Sequence, residues 1–181
     1  ARTHHRRAFD LLAATGPETR LYQNVFDELV QLAFETGDGN GVAALYGDAM
    51  AAFAARNPEG SMAHAKLLDD WGNAARRLGR FAEAVATFKR ALAMKEKVAP
   101  NDGKELARSL NNLAGVLRFV GRYDEAEPAY VRAIAAASSA SDGSVIDDVN
   151  VGIMTDNLAV LYLMKGEPAK GEPLHRRAIQ I

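Results

Sequence analysis

A chain of 181 residues, 48% hydrophobic and 25% charged, is long enough to bury a sizeable core as one domain. A net charge of -1 and a pI near 6.5 supply no field that would draw nucleic acid or an anionic membrane. The absence of cysteine excludes disulfides and thiolate chemistry, and no apolar run approaches the length of about 18 residues that a membrane span needs. The opening Ala1-Arg2-Thr3-His4-His5 has neither an initiator Met nor an apolar signal core, and reads as the trimmed end of a longer polypeptide. With no targeting signal visible, the default location is cytoplasmic.

Ala8, Leu11 and Leu12 predict a short helix from about Thr3 to Ala14. Gly16-Pro17-Glu18 then reads as a helix start, because a proline at the first helical position loses no needed hydrogen bond. That helix runs through Leu21, Phe26 and Leu29 to a stop at Gly37. Gly37 to Gly41 reads as a loose turn, with the next helix over Val42–Arg56. Ser61 is placed to cap a helix ending at Leu78, and Gly79 to end it in the left-handed conformation. Helices follow over Ala82–Val98, Lys104–Val120, Asp124–Ala137 and Ser144–Lys165, with polar breaks at 100–103 and 138–143. A final helix begins at Pro168 and is cut short at Ile181. No low-complexity linker or second domain is visible.

The turn glycines Gly37, Gly79, Gly121 and Gly166 are separated by 42, 42 and 45 residues, and this internal repeat governs the fold. Eight residues before each stand Leu29, Trp71, Leu113 and Leu158, all large. Seven before stand Val30, Gly72, Ala114 and Ala159, and twelve after stand Ala49, Ala91, Ala133 and Ala178. Small residues let two antiparallel helices approach closely while large ones fill the adjoining gap. Trp71, Phe81, Phe88, Tyr123 and Tyr130 are therefore expected in the core.

The segments LGRFAEAVATFKRAL (Leu78–Leu92) and VGRYDEAEPAYVRAI (Val120–Ile134) resemble the second half of the tetratricopeptide repeat. The 42-residue spacing, Asn111-Asn112-Leu113-Ala114, Asp156-Asn157-Leu158-Ala159 and the Glu-Pro pairs at 127–128 and 172–173 resemble the kinesin light chain subtype. The likeness spans roughly Gln23 to Ile181. It is weakest in the first repeat, where Gly39 and Val42 replace the usual aromatic and alanine. HEAT and armadillo repeats have similar lengths but do not require this placement. The resemblance implies an all-α fold, a right-handed superhelical solenoid of antiparallel helix pairs. It divides the chain into an N-terminal helix (1–16), a degenerate repeat (17–60), two full repeats (61–102 and 103–143) and a truncated one (144–181).

In such domains the first helix of each pair lines a concave groove, so the resemblance implies a scaffold that binds an extended peptide. Positions thirteen, ten, nine, six and three before each turn glycine share the groove face. They give Asn24, Asp27, Glu28, Gln31 and Phe34 in the first repeat, Lys66, Asp69, Asp70, Asn73 and Arg76 in the second, Arg108, Asn111, Asn112, Gly115 and Arg118 in the third, and Ile153, Asp156, Asn157, Val160 and Leu163 in the last. Asparagine amides would pair with a peptide backbone and the cations with its carboxylates. The alternative is a solvated face whose asparagines bond to neighbouring helices. A clamp for chaperone C-terminal carboxylates is not expected, because Asp69, Ile153 and Asn157 occupy slots that need cations.

His4 and His5 lie at a frayed end, His64 has no ligand-spaced partner, and His175 takes a slot that is aromatic in other repeats. Neighbouring carboxylates such as Asp69-Asp70 do not face each other on a helix. There is no phosphate-binding glycine loop or nucleophile motif, so neither catalysis nor a cofactor or metal is expected. The expected partner is a protein or peptide. Self-association through exposed solenoid ends, or service as a regulatory arm of a larger protein, are the competing readings.

Overall fold

A computed structural model describes residues 16–17, 19–140 and 145–181, with side chains in the last range from 149 onward. The helix expected over Thr3–Ala14, with His4 and His5, lies outside the described residues. Eight helices are present among them: α1 (Arg20–Glu35), α2 (Gly39–Arg56), α3 (Met62–Arg77), α4 (Phe81–Val98), α5 (Gly103–Phe119), α6 (Tyr123–Ala140), α7 (Val145–Met164) and α8 (Pro168–Gln180). Each packs on its neighbours in sequence, and the first helices of successive pairs also touch, α3 on α5 and α5 on α7. The product is an all-α superhelical solenoid whose inner wall is built from those first helices.

Local chemistry sets the helix ends. Thr19, Asp38, Ser61 and Asp102 each accept a hydrogen bond from the amide three residues on, satisfying a donor that has no partner inside the helix. Two of these capped starts differ from expectation, and the helix expected to end at Ala137 runs on to Ala140. The first helix starts at Arg20 rather than Pro17, because Thr19 is the cap. The second starts at Gly39 rather than Val42, because the Asp38 carboxylate accepts from Gly41 N at 2.8 Å and draws the glycine-rich segment into the helix.

All four turns within pairs close in the same way. At Gly79 (φ 74°) the chain turns left-handed, Gly79 N donates to Arg76 O at 3.1 Å and Arg80 N to Ala75 O at 2.8 Å. The same two bonds recur around Gly37, Gly121 and Gly166, whose φ values are 69°, 77° and 76°. This double closure satisfies the last carbonyls of each first helix, and only glycine enters it without strain.

The core runs continuously through the pairs. Trp71, Phe88, Tyr130, Leu113 and Leu158 are buried in it, as the repeat predicts. Phe81 and Tyr123 are only half-buried, and Phe81 instead packs on Phe119 with ring centroids 4.7 Å apart. A row of rings, Phe26 to Tyr46 at 5.0 Å and Tyr46 to Trp71 at 5.3 Å, joins α1, α2 and α3. At Gly72 an added Cβ would lie 2.6 Å from the Phe88 ring, so the missing side chain is what lets α4 seat its aromatic against α3.

A buried ionic network joins α3, α4 and α5. Lys95 Nζ donates to Asp69 Oδ2 at 2.6 Å and to Glu105 Oε2 at 2.7 Å, and the Lys95 and Asp69 side chains have no exposure. Ser109 Oγ supplies Asp69 with a further bond at 2.8 Å. Arg108 bonds Glu105 at 2.7 Å, and Lys66 lies 3.3 Å from the same carboxylate. Burial pushes the Glu105 carboxyl up, but the Lys95 and Arg108 hydrogen bonds outweigh it and hold it at about 2.

Candidate functional peptide groove

The inner wall opens into a cavity of about 660 Å³ where α3, α5 and α7 converge. It gathers Asn73 and Arg76 from α3, Asn111, Asn112 and Arg118 from α5, and Asn157 from α7, all residues the sequence assigns to the groove. Helical spacing explains the meeting. The positions ten, nine, six and three before each turn share one face of each first helix, so residues from three such helices reach the same cavity. Phe81, Phe119 and Met164 add apolar surface, and Phe119 is 67% exposed.

The polar groups differ in how far they are already engaged. Asn157 Nδ2 donates to Asn111 Oδ1 at 3.2 Å, so these two amides bond between neighbouring repeats. Asn73, Asn112 and Arg76 make no side-chain hydrogen bond or ion pair among the described residues, and remain open to an incoming chain. Arg118 Nε is buried and unpartnered, while Nη1 reaches only the Met164 sulfur at 3.9 Å. Burial pushes the Tyr130 phenol up, and the neighbouring Arg118 guanidinium pulls the other way. A guanidinium with an unmet donor, backed by an apolar wall, is suited to a carboxylate or a peptide carbonyl.

The remaining assigned residues sit elsewhere. Asp69 does not face the groove: the network of α3, α4 and α5 encloses it completely, which corrects the sequence expectation. Lys66 and Arg108 line smaller hollows to either side, but both already face Glu105, so neither is an uncommitted cation. Asp156 pairs with Nδ1 of His175 across α7 and α8, and this contact replaces the ring packing expected of that histidine. The sequence reading missed Lys95, Glu105 and Ser109, and it missed Phe119 and Met164 on the wall of the cavity. A lysine three residues after the buried Leu92, on the same helix face, is the signal that Lys95 points inward. Among the described residues no group of three metal-ligating side chains converges, and no helix is long and apolar enough to cross a membrane.

A tetratricopeptide repeat family profile matches residues 61–139. No curated protein matches. Among solved structures, BtubC (BKLC) from P. vanneervenii is similar with a TM-score of 0.79 at 21% identity, over 98% of this chain and 72% of that one. The nearly identical TPR-like repeats of a kinesin light chain candidate from Podosopora anserina give 0.75 at 15% identity, over 99% and 84% of the two chains. MamA AMB-1 gives 0.57 at 14% identity, over 99% and 91%. At these identities the likeness is one of fold. Repeats of this kind serve as protein–protein interaction scaffolds and are typically non-catalytic. Residues 61–139 match the tetratricopeptide repeat family, and the chain as a whole shares the fold of the kinesin light chain-like repeat structures.

Proposed function

We propose that the chain holds an extended peptide segment of a protein partner in the cavity between α3, α5 and α7, with an acidic side chain or carboxylate of that segment meeting Arg118 and Arg76. The observation that carries this reading is the convergence of Arg76 and Arg118, neither ion-paired among the described residues, with Asn73 and Asn112 on one cavity wall. The Arg118 guanidinium borders the cavity, where its outer nitrogens can donate charge-assisted hydrogen bonds to a carboxylate. Asn73 and Asn112 stand ready for the peptide backbone, each offering a donor and an acceptor. Phe119 and Met164 give an apolar side chain of the same segment a surface to cover.

The test is selection from a random peptide library against the native chain and an Arg76→Glu/Arg118→Glu variant of equal helicity by circular dichroism. Acidic peptides are expected with the native chain and lost with the variant. Absence of enrichment with either protein overturns the peptide-groove reading.

A further inference from the structure

A second cavity of about 590 Å³ opens beside the first, between α1, α2 and α3, and Asn73 lines both. The concave surface is thus continuous from α1 to α7, but its chemistry changes along the way. In the first cavity the uncommitted charges are the cations Arg76 and Arg118. In the second they are the carboxylates Asp27, from α1, and Asp70, from α3. Neither carboxylate has a hydrogen bond or ion pair among the described residues.

The two cations in this second cavity are both engaged. Lys66 lies 3.3 Å from Glu105, and the Arg77 guanidinium sits 4.0 Å above the Phe34 ring. Burial pushes the Tyr46 phenol upward, and Asp70 and then Asp27 push it further, so both carboxylates act on one point of the wall. Desolvation raises both carboxyls above the ordinary range; on Asp70 the Arg108 charge, and more weakly Lys95, pull the other way, while Asp69 and Asp27 add to the rise. Two unpaired carboxylates on one cavity wall form a place for a cation, which gains from both charges.

We infer that the cavity of Asp27 and Asp70 receives a lysine or arginine side chain of the same bound segment, so that the partner is a dipolar peptide lying with its basic residue over α1–α3 and its acidic residue over α5–α7. This rests on the peptide-groove reading and adds a charge order to it. A peptide of about 12 residues, extended, reaches about 40 Å, enough to present both charges to neighbouring cavities.

The experiment is a random 12-residue display library selected in parallel against the native chain, the Arg76→Glu/Arg118→Glu variant and an Asp27→Asn/Asp70→Asn variant. Because Asp27 and Asp70 hold no internal partner, the last variant keeps the native helicity. The native chain is expected to enrich peptides with one basic and one acidic position in a fixed order. The Asp27→Asn/Asp70→Asn variant is expected to lose the basic position and keep the acidic one. It should also bind the best dipolar peptide about ten- to a hundredfold more weakly by fluorescence anisotropy. Enriched peptides with an acidic but no basic position, or a basic position that survives in that variant, overturn the dipolar inference and leave the groove standing. No enrichment with any of the three proteins overturns both.

Discussion

Lys95 and Asp69 are joined by a 2.6 Å hydrogen bond between two side chains that have no exposure, one on α4 and one on α3. Removing ions from water and attracting them to each other nearly offset, so such a pair adds little net stability, but losing one partner leaves a buried charge unmatched. Lys95→Met should therefore destabilise the fold by about 3–5 kcal/mol in urea denaturation. Adding Asp69→Asn should restore much of that loss, because the unmatched charge is gone. A single and a double variant of equal stability would contradict the pairing.

Gly72→Ala tests the approach of α3 to α4. Alanine favours a helix over glycine by about 1 kcal/mol. The new methyl, however, would stand 2.6 Å from the Phe88 ring and must displace it, and overpacking of this kind costs about 1–3 kcal/mol. The expected result is a lower thermal midpoint, with Phe88→Leu in the Gly72→Ala background recovering part of it. A midpoint raised by Gly72→Ala alone would show that the ring yields freely.

Glu105 makes stability depend on acid. Its carboxyl titrates at about 2 in the folded chain against an ordinary 4.5, so the unfolded chain takes up the proton first. The stabilisation is full above 4.5 and is lost as pH falls toward 2. Glu105→Gln should reduce the loss of stability across that window, as followed by chemical denaturation at a series of pH values. An unchanged slope would remove Glu105 from the acid response.

His64 acts at milder pH. Its ring lies against Phe53 at 5.9 Å between centroids, and neither nitrogen has a hydrogen-bond partner. Burial, and then Arg90, lower its pKa below the ordinary 6.5, so the unfolded chain gains a proton that the folded chain refuses. Stability should decline as pH falls through 6.5, and His64→Leu should flatten that decline while raising the midpoint near neutral pH. Calorimetry at about pH 5 and about pH 7.5 compares the two, and an equal pH slope in the native chain and the variant would contradict the assignment.

The turns and the seam between helices were legible because each rests on one residue type at one spacing. Gly79 and its counterparts are required by backbone conformation, and Trp71, Phe88 and Tyr130 by the gap beside small residues. The face spacing also puts Asn73, Asn112 and Arg118 on one wall, and all three line the same cavity. It misplaced Asp69, which shares that face in helical projection but lies under α5, where Ser109 and Glu105 from the next repeat close over it. Asp27 and Asp70 stand ten and nine residues before their turn glycines, so the same spacing puts both on the groove face, but their meeting at one hollow is set between repeats. Periodicity reads one helix at a time, whereas both the ionic network and the acidic cavity are made between repeats.

The amide bond from Asn157 to Asn111 has a mechanical consequence. It is a polar tie across the open side of the coil, linking the inner helices of two successive turns of a spring. The tie uses one donor of Asn157 and one lone pair of Asn111, so a guest strand competes with it only for those two sites. A guest that takes those sites is expected to loosen the spacing of the two inner helices, so that filling the groove would be felt as a change in the coil's stiffness.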